Sequence, residues 1–345
     1  MNNKRIEQID VAKGIGIFFV IFGHVIQSSS IIYRIIYSFH MPFFFFVAGV
    51  FANPGMRLLR YVIKHAKRLL IPYFLVFCLG ILFTFMTSVP HTIAWNDVVR
   101  QFIYARPIEL HVGPIWFLMV LFHVTILFFF YYRLFLSKNH FFVTFMSLGL
   151  LSIVAFVFPM IENKFGFILP LRLDSAFMAL LFYSMGYLMK DYTKDPNSFA
   201  SAKLTFFLFV MSLAAIILFP YFYIGQTYLS GAIYGPDLFF YIFTAFSGIV
   251  FMLILGYYLK KSSALAYIGR NSLIIFSVHT FATYVFKNIF NHFRIENEYL
   301  KAIVITGLSL LTMIGVSLLY NHIIAISLNN KGKRDSLEDK QIRYH

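Results

Sequence analysis

Long apolar runs, separated by short polar segments, follow one another along the whole chain. A transmembrane helix needs about 20 predominantly apolar residues, with a range of about 17–25. By that measure the pattern predicts ten membrane spans. The predicted spans are approximately 13–30, 36–54, 70–89, 114–136, 141–161, 173–189, 204–224, 237–259, 271–290 and 302–327. Backbone polar groups in lipid must be satisfied within their own segment, so each span is predicted to be α-helical.

The composition favours the same class of protein. Apolar residues fill 60% of the 345 positions, whereas Asp, Glu, Lys and Arg together fill 12%, against about 25% in soluble domains. The mean hydropathy is +0.76. So few charges cannot cover the surface of a soluble globule of this size, which excludes soluble enzymes and disordered chains. We therefore predict an all-α polytopic membrane protein with about ten transmembrane helices.

The net charge of +15 comes from 29 basic and 14 acidic side chains. The basic residues lie between apolar runs, so they indicate membrane topology rather than binding to nucleic acid. An even number of spans puts both termini on one side, and 21 of the 29 basic residues fall on that side. The positive-inside rule then places both termini in the cytoplasm. The pattern predicts a transmembrane domain, residues 1–328, and a polar cytoplasmic tail, residues 329–345.

The first span carries ionisable residues, which are costly in a bilayer and therefore indicate a functional site. Lys13 and His24 are eleven positions apart, which amounts to a rotation of about 20° and about 16 Å along a helix. Both lie on one helix face, the cation near the cytoplasmic surface and the imidazole deep in the outer half. Asp10 is placed to pair with Lys13 at i,i+3. The alternative is a snorkelling lysine beside a hydrogen-bonded structural histidine.

Three more residues inside or at the edge of spans are candidates. His40, in the second span, falls at a depth similar to that of His24. Trp116 lies near the outer edge of the fourth span, where it fits either an aromatic belt or a surface that stacks on a ligand. His279 is a further imidazole in the ninth span. Each histidine alone fits an interfacial or structural role, but imidazoles at similar depth on consecutive helices favour a shared site.

The loop 57–68 is strongly basic, and its residues follow helical spacing. Arg60, Lys64 and Arg68 form one face of this segment. Such a face fits lipid headgroups, and it also fits an anionic cofactor that bears phosphate, because Arg makes bidentate phosphate contacts. Arg68 lies nearest the membrane and is the preferred candidate for the second role.

Common catalytic motifs are missing from the sequence: it contains no Gly-rich phosphate loop before a helix, no HExxH, no CxxC and no G-x-S-x-G. The chain instead resembles the acyltransferase 3 family of integral membrane O-acyltransferases, and most closely its fucose 4-O-acetylase-like branch. Lys13 stands where that family usually carries Arg. The segments that carry the resemblance are Asp10-Val11-Ala12-Lys13-Gly14 with Gly23-His24, Phe39-His40-Met41-Pro42 through Ala48-Gly49, Arg68 to Pro72, Trp116-Phe117-Leu118, and Ile268-Gly269-Arg270-Asn271-Ser272 with His279.

The resemblance implies an activity and its participants. Such proteins transfer an acyl group, usually acetyl from acetyl-CoA, to a hydroxyl of a sugar or another cell-envelope component, which implies the bacterial cytoplasmic membrane. No metal is expected. The expected site residues are His24 as general base and His40 for catalysis; Lys13, Arg68, Arg60 and Lys64 for acetyl-CoA; and Asp10, Trp116 and His279 for the acceptor. Direct transfer and transfer through an acyl-histidine are both open.

Two other classes of function compete with this hypothesis. A transporter or flippase of a lipid-linked sugar could also use intramembrane histidines and a polar stripe. Transporters often have duplicated halves with broken helices in matching positions, and the sequence shows neither. A structural or sensory membrane protein would leave the stripe of Asp10, Lys13 and His24 unexplained.

Overall fold

The computed structural model describes residues 6–87, 94–105, 110–137, 140–167, 169–222, 227–293 and 297–342, without the side chains of residues 324 and 327–342. Regular structure in these ranges is helical, apart from one isolated bridge between Tyr228 and Ile233. The α-helices are α1 (Glu7–Val25), α2 (Ile31–Val50), α3 (Leu58–Thr87), α4 (Trp95–Ile103), α5 (Trp116–Tyr131), α6 (Phe141–Phe165), α7 (Leu173–Leu188), α8 (Lys190–Lys194), α9 (Ala202–Phe222), α10 (Leu238–Tyr258), α11 (Ser263–Arg270), α12 (Ser272–Asn291) and α13 (Glu298–Ile342).

The described part of the chain has nine helical segments long and apolar enough to cross a membrane. They match nine of the ten predicted spans, so the prediction of an all-helical polytopic membrane protein is confirmed. The remaining prediction, 173–189, coincides with α7, which has 16 residues. Its length of about 24 Å is less than the hydrocarbon thickness of about 30 Å.

Contacts at the two ends of α7 show that it nevertheless runs the length of the bundle. Before its first turn, Arg172 borders a cavity that His24, near the end of α1, also borders. Beyond its last turn, the Thr193 carbonyl in α8 accepts a hydrogen bond from Gln8, in the first turn of α1, at 3.1 Å. Helix α7, continued by α8, therefore extends from the level of the cavity to that of the first turn of α1, where the sequence predicts the tenth crossing.

Helix α1 begins, and helix α13 ends, at the same end of the bundle, as the even number of predicted spans requires. Gly269 in α11 packs against the Asp10 carbonyl at the start of α1. The side chain of Asn321, far along α13, donates to Asn271 at the end of α11 at 3.0 Å. The start of α1 and the C-terminal half of α13 therefore lie at one end of the bundle, which we call the terminal end.

Two boundaries differ from the sequence pattern. Residues 57–68 were predicted as a loop, but residues 58–68 form the first turns of α3, which has 30 residues in all. Its basic side chains can extend away from the apolar core, so the helix need not stop where the apolar run stops. Helix α13 continues to Ile342 without a break at 329, and the separate cytoplasmic tail stays a prediction.

The buried core is centred on α1 and α2, whereas α6 and α9 keep most of their surface exposed. The exposed positions on these outer helices include large apolar side chains such as Phe145, Leu150 and Phe206. Helices that face lipid need such a surface, because hydrocarbon solvates apolar side chains as well as a protein core does.

Candidate active site

A cavity of about 690 Å³ lies at the end of the bundle opposite to the terminal end. Its size falls within the range of about 300–1,000 Å³ that is usual for small-molecule sites. Helices α1, α2 and α12 supply part of its wall, and the connections before α5, α7 and α10 supply the rest. The polar and aromatic residues of the lining are His24, Tyr33, Tyr37, His40, His111, Trp116, Arg172, Tyr228, Ser230, Phe276, Thr280, Thr283, Tyr284 and Lys287.

Three helices bring three imidazoles together, two of them in the cavity wall and the third next to it. The ring centroids of His24 on α1 and His279 on α12 are 5.3 Å apart. His40 on α2 lies 4.7 Å from the ring of Tyr37, which in turn lies 6.3 Å from the ring of His24. The similar depth of His24 and His40 that the sequence predicted is therefore matched by a shared cavity.

Backbone carbonyls fix the protonation pattern of two of these rings. His40 Nδ1 lies 2.7 Å from the Ile36 oxygen, and His279 Nδ1 lies 2.8 Å from the Phe276 oxygen. A carbonyl oxygen only accepts, so each Nδ1 carries the proton and each Nε2 is an acceptor in the neutral ring. His279 is fully buried, and within the described residues its Nε2 has no hydrogen-bond partner. The ring lies behind His24 and does not line the cavity.

Aromatic rings form much of the remaining wall. Tyr33 stacks on Tyr37 with ring centroids 3.8 Å apart, and His111 lies 4.3 Å from the ring of Tyr284. Burial lowers the pKa of His111, because desolvation disfavours its charged form, so this imidazole is neutral at pH 7. Trp116 completes the wall at the start of α5. The cavity therefore offers flat aromatic faces next to hydrogen-bonding groups.

Two cations border the cavity, and their environments differ. Arg172 is buried, lies 3.7 Å from Asp174, and donates to the hydroxyl of Ser175 at 3.2 Å. Lys287 Nζ on α12 donates to the His24 carbonyl oxygen at 2.6 Å. The first cation is balanced by a carboxylate, whereas the second is bound to a neutral acceptor.

The backbone is strained around the cavity. Positive φ occurs in the described residues at five non-glycine positions: Ala105, His111, Leu171, Arg172 and Ala232. Three of them line the cavity, and the other two directly adjoin lining residues. Left-handed backbone costs about 1–2 kcal/mol per L-residue, and such conformations cluster at ligand sites. The strain supports a binding role for this end of the molecule.

The predicted acetyl-CoA residues lie toward the terminal end. Lys13 Nζ is 2.7 Å from Asp10 Oδ1, so the predicted i,i+3 pair is confirmed and the charge of Lys13 is balanced. Arg60, Lys64 and Arg68 are exposed on the first turns of α3. Helix α3 packs mainly on α5, whereas α1 packs on α11, α10 and α12. These basic residues and Lys13 therefore lie on different parts of the bundle, and Asp10 is far from the cavity lining.

A family model described as an acyltransferase domain matches residues 6–322. That range covers nearly the whole chain and all residues of the cavity. The chain belongs to the acyltransferase 3 family. Searches of curated proteins and of solved structures find no match to the sequence. The family resemblance is thus confirmed, and the fucose 4-O-acetylase-like branch stays a prediction.

The sequence located only part of the site of this acyltransferase. His24, His40 and Trp116 do border one cavity. The tyrosines were missed because tyrosines near a membrane surface also fit an aromatic belt. Their signal is the spacing of Tyr33, Tyr37 and His40, which repeats every three or four residues and therefore follows one helix face. In the described part of the chain, no group of three His, Cys, Asp or Glu side chains is arranged to hold a metal ion.

Proposed function

We propose that this acyltransferase is a membrane O-acetyltransferase of the bacterial cytoplasmic membrane. It transfers acetyl from acetyl-CoA to a sugar hydroxyl of a cell-surface polysaccharide or its lipid-linked precursor. One observation carries this proposal: His24 and His40 share a ligand-sized cavity with Trp116 and four tyrosines. Imidazole is the usual general base near neutral pH, and aromatic side chains offer an apolar face with a polar edge to a sugar ring.

The donor is proposed to bind toward the terminal end. CoA is polyanionic, and Arg60, Lys64 and Arg68 present exposed positive charge there. Lys13 is a weaker candidate, because Asp10 already balances its charge. Lys13 and His24 are about 16 Å apart along α1, so the thin pantetheine arm has to enter the bundle to bring the thioester to His24.

His24 is proposed to act as general base on the acceptor. It takes the hydroxyl proton as the hydroxyl oxygen attacks the thioester carbonyl carbon. The tetrahedral adduct then collapses, the C–S bond breaks, and the CoA thiolate leaves with the proton from the imidazolium of His24. His40, whose Nε2 is an acceptor, is proposed to orient the acceptor hydroxyl. The products are an acetyl ester and CoA-SH, which balances the reaction.

The family resemblance suggested that His279 contacts the acceptor. We propose instead that His279 positions His24. Its Nδ1 is bound to the Phe276 carbonyl, and its unpartnered Nε2 is available to an N–H of His24. If His24 donates one N–H to His279, its other nitrogen is unprotonated. That nitrogen is then able to accept the hydroxyl proton.

The first test is mass spectrometry of surface polysaccharide from strains with the gene intact, deleted or carrying His24→Ala. We expect acetyl esters to disappear in both altered strains, because a missing general base costs about 10²–10⁴-fold in rate. His292→Ala is the matched control, since this histidine is exposed at the end of α12. Immunoblots of membranes show that each variant inserts at the normal level.

Retained acetylation in the His24→Ala strain would contradict the role of His24. Release of CoA from acetyl-CoA by the purified protein, dependent on an added glycan, tests the activity directly. Movement of a lipid-linked sugar across liposomes without acetyl-CoA, together with no release of CoA, would favour the transporter alternative instead.

A further inference from the structure

The charge of the cavity is one-sided. Among the described residues that line it, two are cationic and none is Asp or Glu. Arg172 has Asp174 at 3.7 Å, so this buried pair adds little net charge. Lys287 has no carboxylate within ion-pair distance in the described part of the chain, and its Nζ donates to the His24 carbonyl at 2.6 Å. Among the described residues, the positive charge of Lys287 therefore has no counter-ion.

Capping of helix α1 explains only one of the hydrogen bonds that the Lys287 ammonium group can donate. The His24 carbonyl lies in the last turn of α1, and a cation there interacts favourably with the helix dipole. An ammonium group has three donors, and one carbonyl satisfies one of them. An ionisable residue within a membrane segment is costly and is usually paired or faces a water-filled site. Lys287 is half-buried and borders the cavity, so its remaining donors can reach a ligand.

We propose that Lys287 binds an anionic group of the acceptor, either a carboxylate or a phosphate. This inference rests on the proposed function for the sugar nature of the acceptor, and it narrows that acceptor to an acidic sugar or a sugar phosphate. Because Lys287 binds the backbone of His24 itself, an anion on its ammonium group lies close to the imidazole. Tyr33 and Tyr37 lie on the same side of the cavity as His24 and can hold the sugar ring.

Binding can be measured without acetyl transfer, because Trp116 lines the cavity. The chain has two tryptophans, Trp95 and Trp116. Trp95 is exposed on α4, and Trp95→Phe leaves Trp116 as the only indole. Its fluorescence is titrated with the methyl glycosides of galacturonic and glucuronic acid, with galactose 1-phosphate and glucose 1-phosphate, and with the neutral methyl glycosides of galactose and glucose.

We expect an acidic ligand to bind about tenfold or more tightly than its neutral counterpart, as a charge-assisted hydrogen bond requires. A preference for the uronic acids indicates a carboxylate in the acceptor, and a preference for the sugar phosphates indicates a phosphate. Equal affinity for acidic and neutral ligands would overturn the inference.

Three variants distinguish two roles of Lys287, binding an anionic ligand and capping helix α1. Lys287→Gln keeps a donor but loses the charge, so the preference for acidic ligands should vanish while neutral ligands bind as before. Lys287→Arg should retain the preference. Lys301→Gln is the matched control, since Lys301 is a half-buried cation that donates to Asn291 and does not line the cavity, and it should also retain the preference. An equal loss of both kinds of ligand in Lys287→Gln would overturn the inference and leave Lys287 as a cap.

The failure of this inference and the failure of the proposed function give different results. Selective binding of acidic ligands without any release of CoA upholds the anion site and contradicts the acetyltransferase. Transfer of acetyl from acetyl-CoA with no selectivity between acidic and neutral sugars upholds the acetyltransferase and contradicts the anion site.

Discussion

His279 has the surroundings of a positioning residue. It is fully buried, one ring nitrogen is bound to a carbonyl, and the other has no partner in the described structure. Leaving a buried polar atom unpaired costs about 1–3 kcal/mol. The unpaired nitrogen belongs to a ring 5.3 Å from that of His24, and hydrogen bonds in ligand-free active sites are often long. The arrangement is suited to a contact that tightens when substrates bind.

Replacing His279 with Leu tests this role. The variant loses the acceptor behind His24, so we expect kcat to fall about 100-fold with little change in the KM for the acceptor. The acidic limb of the pH–rate profile, which reports protonation of the general base, should also change, because His24 can no longer donate an N–H to His279. His292→Leu, on the exposed end of the same helix, is the control. A higher KM with an unchanged kcat would place His279 in the acceptor site instead.

At the scale of elements, α2 and α7 meet by direct backbone contact. A methyl group on Gly49 would overlap the Tyr183 carbonyl oxygen, and one on Gly186 would overlap the Phe46 carbonyl oxygen. Small residues allow helices to approach closely in membranes, where association depends on packing rather than on the hydrophobic effect. This contact holds the short helix α7 in the bundle, and α7 begins directly after Arg172 at the cavity.

We expect Gly49→Ala to destabilise the protein by about 1–3 kcal/mol, because the methyl group forces the two backbones apart. Thermal unfolding of the purified protein in detergent, followed by circular dichroism, measures the change. Gly307→Ala in α13 is the control, since no atom lies within 4 Å of its added methyl group. There the better helix propensity of Ala should leave stability unchanged or raise it by up to about 1 kcal/mol. Equal unfolding temperatures for the two variants would contradict the packing argument.

At the scale of the whole molecule, the cavity and the terminal end are opposite ends of one bundle. Asn197 lies beyond α8, near the Gln8 contact at the terminal end, whereas His292 follows α12 at the cavity end, and both are exposed. The excess of basic residues predicts that the terminal end faces the cytoplasm. The two positions should therefore face opposite compartments.

Cysteine labelling tests that orientation. Cys78 is the only cysteine, so Cys78→Ser gives a background for Asn197→Cys and His292→Cys. A membrane-impermeant maleimide should label the Asn197→Cys variant only in inside-out vesicles and the His292→Cys variant only in right-side-out vesicles. Helices α9, α10 and α12 separate the two positions, so labelling of both from one side would mean that these three helices do not all cross the membrane.

The sequence predicts features that depend on neighbouring residues better than contacts between residues that are distant along the chain. Apolar runs predict membrane helices well, because the backbone in lipid has few alternatives to the helix. The pair of Asp10 and Lys13 was predictable, since it joins adjacent turns of one helix. The contact of His24 with His279 depends on how α11 and α12 pack on α1, and no local pattern gives that packing. For the same reason, Lys287 was counted only as a basic residue in the topology prediction, and its contact with His24 was not predicted.

The basic face and the cavity lie at opposite ends of the bundle, so the proposed reaction would carry the acetyl group from one side of the membrane to the other. The thioester would be used from the cytoplasm, and the ester would be left on a molecule at the other face. CoA-SH released through the same route would return to the cytoplasm and would not be lost from the cell. The proposed modification would then be vectorial: the cell would add acetyl groups at its outer face without exporting an activated donor.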